Sequence, residues 1–159
     1  MNNKITEKTH LMNDTTVDHS EDAWSKGDYK GFRLGTNGLQ ASPFLSSFVK
    51  HVKKINSNHA RIMEFGAGSG EDAIAFTKEG FTVSAIESSQ TAVSLIKKKV
   101  EKENINLNII GMNIFDYLIA DIDEEFQGIY ANAVLHFLSE AERNELYKNL
   151  FRIQSHKGI

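Results

Sequence analysis

The sequence predicts an α/β fold, a parallel sheet with helices on both faces, and two observations carry the prediction. From residue 60 onward, short apolar runs alternate with amphipathic helical stretches. Strands joined through helices run parallel and cross over in the right-handed sense. The second observation is "RIMEFGAGSGED" at residues 61–72, where an apolar run ends in glycines at 66, 68 and 70 followed by two acids. Glycine at alternate positions lets a strand turn sharply into a helix and lets backbone approach a ligand closely. In sheets of this kind the ligand crevice lies beyond the carboxyl ends of the strands.

The elements follow in order. Residues 1 to about 22 are polar with scattered apolar side chains. They are expected to form a flexible tail, because they bury too little to offset the entropy of ordering them. Residues 23–58 make an N-terminal helical segment, Gly-punctuated and aromatic at first. From Ser42, with Pro43 in a first-turn position, Phe44, Leu45, Phe48, Val49 and Val52 recur at helical spacing and define one buried face.

Residues 59–159 form the core. Its first strand is Ala60 to Phe65, followed by a helix from Glu71 to Lys78 that stops at Gly80. The second strand is Phe81 to Ile86, and a helix follows from Thr91 to Glu103. The third strand, Ile105 to Ile110, ends at Gly111 and leads to a short helix over Ile114 to Ile119. The fourth strand is Gly128 to Ala133. A last helix from Ser139 to Ile153 opens on "SEAE", a capping box pairing Ser139 with Glu142. Lys157, Gly158 and Ile159 then read as the turn into a fifth strand that the sequence does not contain. The sheet is therefore expected to be truncated after the helix that follows strand four, or to leave strand four as an exposed apolar edge.

Composition excludes several classes of function. With 18 basic and 21 acidic side chains and a formal charge of -3, nothing favours nucleic acid or anionic lipid. There is no cysteine, which removes disulfides, thiolate nucleophiles and cysteine-based zinc sites together. Six histidines show no metal-ligand spacing, so no metal is expected. No apolar run approaches the roughly 18 residues of a membrane span, and the start has no signal-peptide core. The expected location is cytoplasmic, and the sequence is silent on oligomeric state.

The glycine pattern is G-x-G-x-G, and Glu71 stands where a dinucleotide fingerprint needs its third glycine. Glu71 and Asp72 complement the helix dipole but would repel a diphosphate, and they suit a cationic or zwitterionic ligand better. About 20 residues on, Glu87 closes the second strand, a position from which a carboxylate accepts both hydroxyls of a ribose. Together these residues describe an adenosine ligand without a diphosphate.

These residues also carry a family resemblance. "EFGAGSGEDAIAFTKEGFTVSAIESS" resembles the first two motifs of class I S-adenosylmethionine-dependent methyltransferases, and "YANAVLHFLSEAE" resembles their fourth-strand motif. With "ASPFLSSFVKHV" upstream, the chain is most similar to a small-molecule branch that includes tellurite-resistance-type methyltransferases. The resemblance runs from about Asp22 to Ile159. It implies a Rossmann-like domain with sheet order 3-2-1-4-5-7-6, of which this sequence supplies strands three, two, one and four.

It also implies S-adenosylmethionine as cofactor and a small-molecule methyl acceptor as substrate. Glu64, Phe65, Gly66, Ala67, Gly68 and Gly70 would line the methionine part, and Glu87 with Ser88 would hold the ribose. Met112 and Ile114 would flank the adenine. Asn113 stands where the family commonly has an acid, with an amide oxygen still able to accept from the adenine amino group. Ala131 would offer its carbonyl to the cofactor amino group. Asn132 and His136 would face the substrate, with His136 either a base or a packing residue. The 23–58 segment would cover the cofactor site, with Tyr29 and Arg33 closing over the cofactor or simply packing on the domain. Methyl transfer from a sulfonium needs a positioned nucleophile in a dry site more than an acid–base triad, and none is found. Two alternatives stand beside this reading: a catalytically inactive, cofactor-binding remnant, and a nicotinamide-dependent oxidoreductase, against which the displaced third glycine argues.

Overall fold

In a computed structural model, residues 15–26, 34–35, 38–39, 41–55, 59–120, 124–155 and 158–159 are described. In chain order the elements are α1 (Thr15–Lys26), β1 (Leu34–Gly35), β2 (Gly38–Leu39), α2 (Leu45–Ile55), β3 (Arg61–Phe65), α3 (Glu71–Lys78), β4 (Thr82–Ile86), α4 (Gln90–Glu103), β5 (Asn108–Ile110), α5 (Ile114–Ile119), β6 (Gly128–Tyr130), a single 3-10 turn (Leu135–Phe137) and α6 (Glu140–Ile153). β1 and β2 pair as a small antiparallel hairpin. The main sheet is wholly parallel with order β5-β4-β3-β6, the arrangement expected for strands three, two, one and four.

Side chains alternate across this sheet, so each strand feeds two cores. On one face Ile62, Val83, Ala85 and Tyr130 meet Val49 and Val52 of α2, Phe76 of α3 and Ile96 of α4. Here Phe48, Phe76 and Tyr130 form a mutually tilted aromatic cluster with ring centroids 5.0 to 5.4 Å apart. Gly128 makes room for it: a Cβ there would lie 2.9 Å from Phe48 Cζ. On the other face Met63, Phe65 and Ile86 meet Phe115, Tyr117 and Leu118 of α5 and Leu146 and Ile153 of α6. Each such fully buried side chain contributes about 1.5 to 3 kcal/mol of transfer free energy.

The helix ends show why the boundaries fall where they do. The capping box of α6 forms as its sequence predicts: the Ser139 N–H donates to Glu142 Oε2 at 2.7 Å, and the Glu142 N–H donates to Ser139 Oγ at 3.3 Å. Ser89 caps α4 by accepting from the Ala92 N–H at 3.1 Å. At the other end of α4, Asn104 adopts a left-handed conformation (φ 52°), and the Ile105 N–H is spent on Val100 O. The third core strand consequently spans only Asn108–Ile110, shorter than the Ile105 start expected from its apolar run.

Other expectations need correction. Residues 15–22 are not a loose tail; they form most of α1, which packs on α4. Phe44 does not belong to the buried face of α2 but lies in the turn before it, 69% exposed. The Ser42 hydroxyl and carbonyl accept from Phe44 N and Leu45 N, so the helix proper starts at Leu45. The fourth core strand ends at Tyr130 rather than Ala133, because Ala133 turns left-handed (φ 56°). Nor is that strand a bare edge. Phe126 bridges Gln154 in the parallel sense, the Ile159 N–H donates to Gln127 O at 3.0 Å, and the Ile129 N–H donates to Ile159 O at 2.8 Å.

Candidate functional site

The carboxyl ends of β3 and β4 are joined by backbone bonds that shape the glycine loop. The Gly66 and Ala67 N–H groups both donate to Ile86 O, at 2.9 and 3.2 Å, which folds the loop back over the end of β4. Gly70 N–H then closes the turn on Ala67 O at 2.9 Å. Gly66, Gly68 and Gly70 all have positive φ, so any side chain at these positions is strained. Space is short as well. A Cβ on Gly66 would lie 2.3 Å from Val134 Cγ2, and one on Gly70 would lie 2.9 Å from Ile96 Cγ1. A Cβ on Gly68 would lie 2.9 Å from Trp24 Cζ2, so the indole covers that glycine.

Glu87 is clamped to this loop. Its Oε2 accepts from the Gly68 N–H at 2.8 Å and its Oε1 from the Ser89 N–H at 2.8 Å. The side chain is buried, and burial raises its carboxyl above the ordinary carboxylate range, while the N–H bonds from Ser89 and Gly68 oppose that shift. Ser88 stands beside it with a long contact of 3.5 Å to Oε1. Oε2 accepts the Gly68 bond and has a second lone pair, while Oε1 is shared between Ser89 and Ser88. The two ends of the sequence motif, 19 residues apart, thus meet in one hydrogen-bonded unit.

The acids that open α3 have internal partners. Glu71 pairs with Lys99 of α4 and accepts from Ser69 Oγ, while Lys99 also donates to Ser69 O at 2.7 Å. Its charge is neutralised within the protein, which weakens the sequence argument that both acids select against a diphosphate. Asp72 is completely buried, accepting from the Ser42 N–H and, at 3.4 Å, from Asn132 Nδ2. Asp72 therefore ties the start of α2 and the segment after β6 to the glycine loop. As an acid at a helix start it is legible in the sequence; its partners 30 and 60 residues away are not.

The remaining candidates divide between those at the strand ends and those apart from them. Glu64, Phe65 and Ala67 are buried at the end of β3. Ala131 and Asn132 follow β6, which neighbours β3. Met112, Asn113 and Ile114 follow β5 beyond β4, with Met112 40% exposed. Asn113 caps α5, its Oδ1 accepting from the Phe115 N–H at 2.9 Å, so its turn role is certain whatever else it holds. His136 is exposed on the 3-10 turn and stacks on Phe137, with ring centroids 4.0 Å apart. Tyr29 and Arg33 lie outside the described residues.

Glu21 and Trp24 of α1 were absent from the sequence expectation. Glu21 Oε2 accepts from Ser89 Oγ at 2.6 Å and from the Thr91 N–H at 3.3 Å, and Oε1 accepts from Thr91 Oγ1. A signal existed in the single tryptophan of the chain, set seven residues after Val17 in an otherwise polar stretch. Among the described residues, no group of three His, Asp or Glu side chains is placed to hold a metal, and no helix is long and apolar enough to cross a membrane.

Comparison with known proteins supports the fold. A family profile described as a methyltransferase domain matches residues 62–158, more than half of the chain. A Geobacillus sp. (strain WCH70) protein named for an inferred methyltransferase activity is 24% identical over 115 residues, covering 71% of this chain and 46% of its own. Among solved structures, TehB from Haemophilus influenzae is similar with a TM-score of 0.59 at 22% identity, over 87% of this chain and 43% of that one. Magnesium protoporphyrin IX methyltransferase (ChlM) from Synechocystis PCC 6803, solved with bound SAM, is similar with a TM-score of 0.64 at 14% identity, over 92% of this chain and 75% of that one. The chain spans about half the length of the curated relatives it matches.

Proposed function

The chain belongs to the methyltransferase-domain family, and from that premise we propose that it binds S-adenosylmethionine at the carboxyl ends of its parallel strands and serves methyl transfer to a small molecule. The observation that carries the reading is the clamp between Glu87 and Gly68, a buried carboxylate fastened to a glycine loop whose positive φ angles exclude side chains. That pair fits a nucleoside. The Oε2 atom of the carboxylate has a lone pair left for a sugar hydroxyl, and the loop presents backbone where a side chain would intrude.

When bound, S-adenosylmethionine supplies a methyl group already activated by a positive sulfur. The chain's own residues then hold, orient and dry the site. Gly66 to Gly70, with Glu64 and Phe65 behind them, border the methionine portion, and Glu87 beside Ser88 takes the ribose. Met112 and Ile114 flank the base, while Asn113, its oxygen already capping α5, offers the base edge a weaker contact than a family acid would. Ala131 presents its carbonyl to the amino group. Asn132, oriented by Asp72, faces the acceptor, and His136 receives the proton that a hydroxyl or amine acceptor releases.

Titration calorimetry with S-adenosylmethionine and S-adenosylhomocysteine tests the cofactor. Heat with both is expected, and heat with NADH but with neither of these would overturn it. Release of S-adenosylhomocysteine on incubation with a panel of small hydroxyl, amine and oxyanion acceptors separates methyl transfer from binding alone.

A further inference from the structure

We propose that α1 is a latch over the cofactor crevice, with Trp24 the side chain that contacts the bound nucleoside and Glu21 the residue that positions it. The inference rests on the cofactor reading above but comes from different residues. Glu21 lies against the start of α4, where unpaired helix N–H groups favour an anion. Its carboxylate takes the Ser89 hydroxyl at 2.6 Å, the Thr91 N–H at 3.3 Å and the Thr91 hydroxyl, and these bonds hold its carboxyl below the usual value.

Residues three apart on a helix share a face, so anchoring Glu21 orients Trp24. The indole edge lies against Gly68, the residue whose N–H is held by Glu87. Glu87 in turn accepts from Ser89, the serine whose hydroxyl donates to Glu21. The contacts close a ring from Glu21 through Ser89, Glu87 and Gly68 back to Trp24. A ligand that reaches both Gly68 and the Glu87 carboxylate must therefore meet the indole, either under it or in place of it. A large, flat, polarisable ring is suited to stacking on a purine or to covering a cationic sulfur.

Trp24 is the only tryptophan in the chain, so its fluorescence reports on the latch without a label. Adding S-adenosylhomocysteine to the intact protein should shift Trp24 emission and change its quenching by acrylamide. Glu21→Ala should raise acrylamide quenching of the free protein and weaken S-adenosylhomocysteine binding about tenfold by calorimetry, the scale of a lost hydrogen bond to a charged group. Glu21→Gln, which preserves volume and guards against a folding defect, should give part of that loss. If the wild type binds with heat while Trp24 emission stays fixed, or if both Glu21 variants bind as tightly as the wild type, the latch is wrong and the cofactor reading stands. If the wild type binds neither form of the cofactor, both fall.

Discussion

The two halves of the crevice are built differently. At the ends of β3 and β4, the glycine loop, Glu87, Ser89 and α1 are interlocked, with several hydrogen bonds of 2.6 to 3.3 Å carrying the loop, the clamp and the latch. Beyond β6 the arrangement is looser: Asn132 reaches Asp72 only at 3.4 Å, and His136 stands exposed on a short turn. Nearby, an open groove of about 280 Å³ runs between Phe44, Phe48, His51, Tyr130 and Ile159. The contrast teaches that the half proposed to hold the nucleoside is braced within this chain more tightly than the half proposed to present an acceptor. Affinity for cofactor should be sensitive to single substitutions on the first half, and insensitive to them on the second.

The strongest way to break the contrast is Gly66→Val. It forces a β-branched residue to φ 66° and drives a side chain into Val134, and it should cost about 3 to 5 kcal/mol of stability, read by urea unfolding. Next is Glu87→Ala, which leaves the Gly68 and Ser89 N–H groups without their acceptor. Binding of S-adenosylhomocysteine should weaken about 100-fold by calorimetry. A related measurement follows from the raised carboxyl of Glu87. The native state keeps that proton to higher pH than the unfolded chain, so charging it costs stability as pH rises from about 4 through its folded value. Relative to Glu87→Gln, the wild type should lose stability over that rise and regain it on acidification. Ser139→Ala, which removes the α6 cap and touches none of the loop's hydrogen bonds, should cost about 1 kcal/mol in the same unfolding assay and leave cofactor affinity alone. The smallest effect should come from His136→Ala, with cofactor affinity changed less than about twofold by calorimetry; a large loss would show the second half is as tightly specified as the first.

Much of the first half was legible in the sequence, for local reasons. Strand, glycine turn and helix are contiguous, the Glu87 position is set by the next strand, and caps such as Ser139 with Glu142 act over three residues. What was missed depends on distant or polar partners. α1 docks partly through a carboxylate onto two hydroxyls, so no continuous apolar stripe announced it. Glu71 looked free to face a ligand because Lys99, 28 residues on, is brought to it only by the packing of α4. Phe44 fits the helical period of its neighbours and falls outside the helix by one residue, where Ser42 caps the turn. The early end of β6 comes from a left-handed Ala133, a conformation alanine does not advertise.

The order of strands also has a consequence for how the chain assembles. β3, β4 and β5 are consecutive in sequence and adjacent in the sheet, each joined to the next by one short crossover, whereas β6 must return past two strands to pair with β3. Loop closure is less costly for the consecutive set, so residues 61–110 are suited to nucleate the sheet, with β6 docking later. The glycine loop and Glu87 fall inside that early unit. A nucleoside ligand would then meet its principal contacts before the domain is complete, and could act on the folding reaction itself as well as on the finished protein.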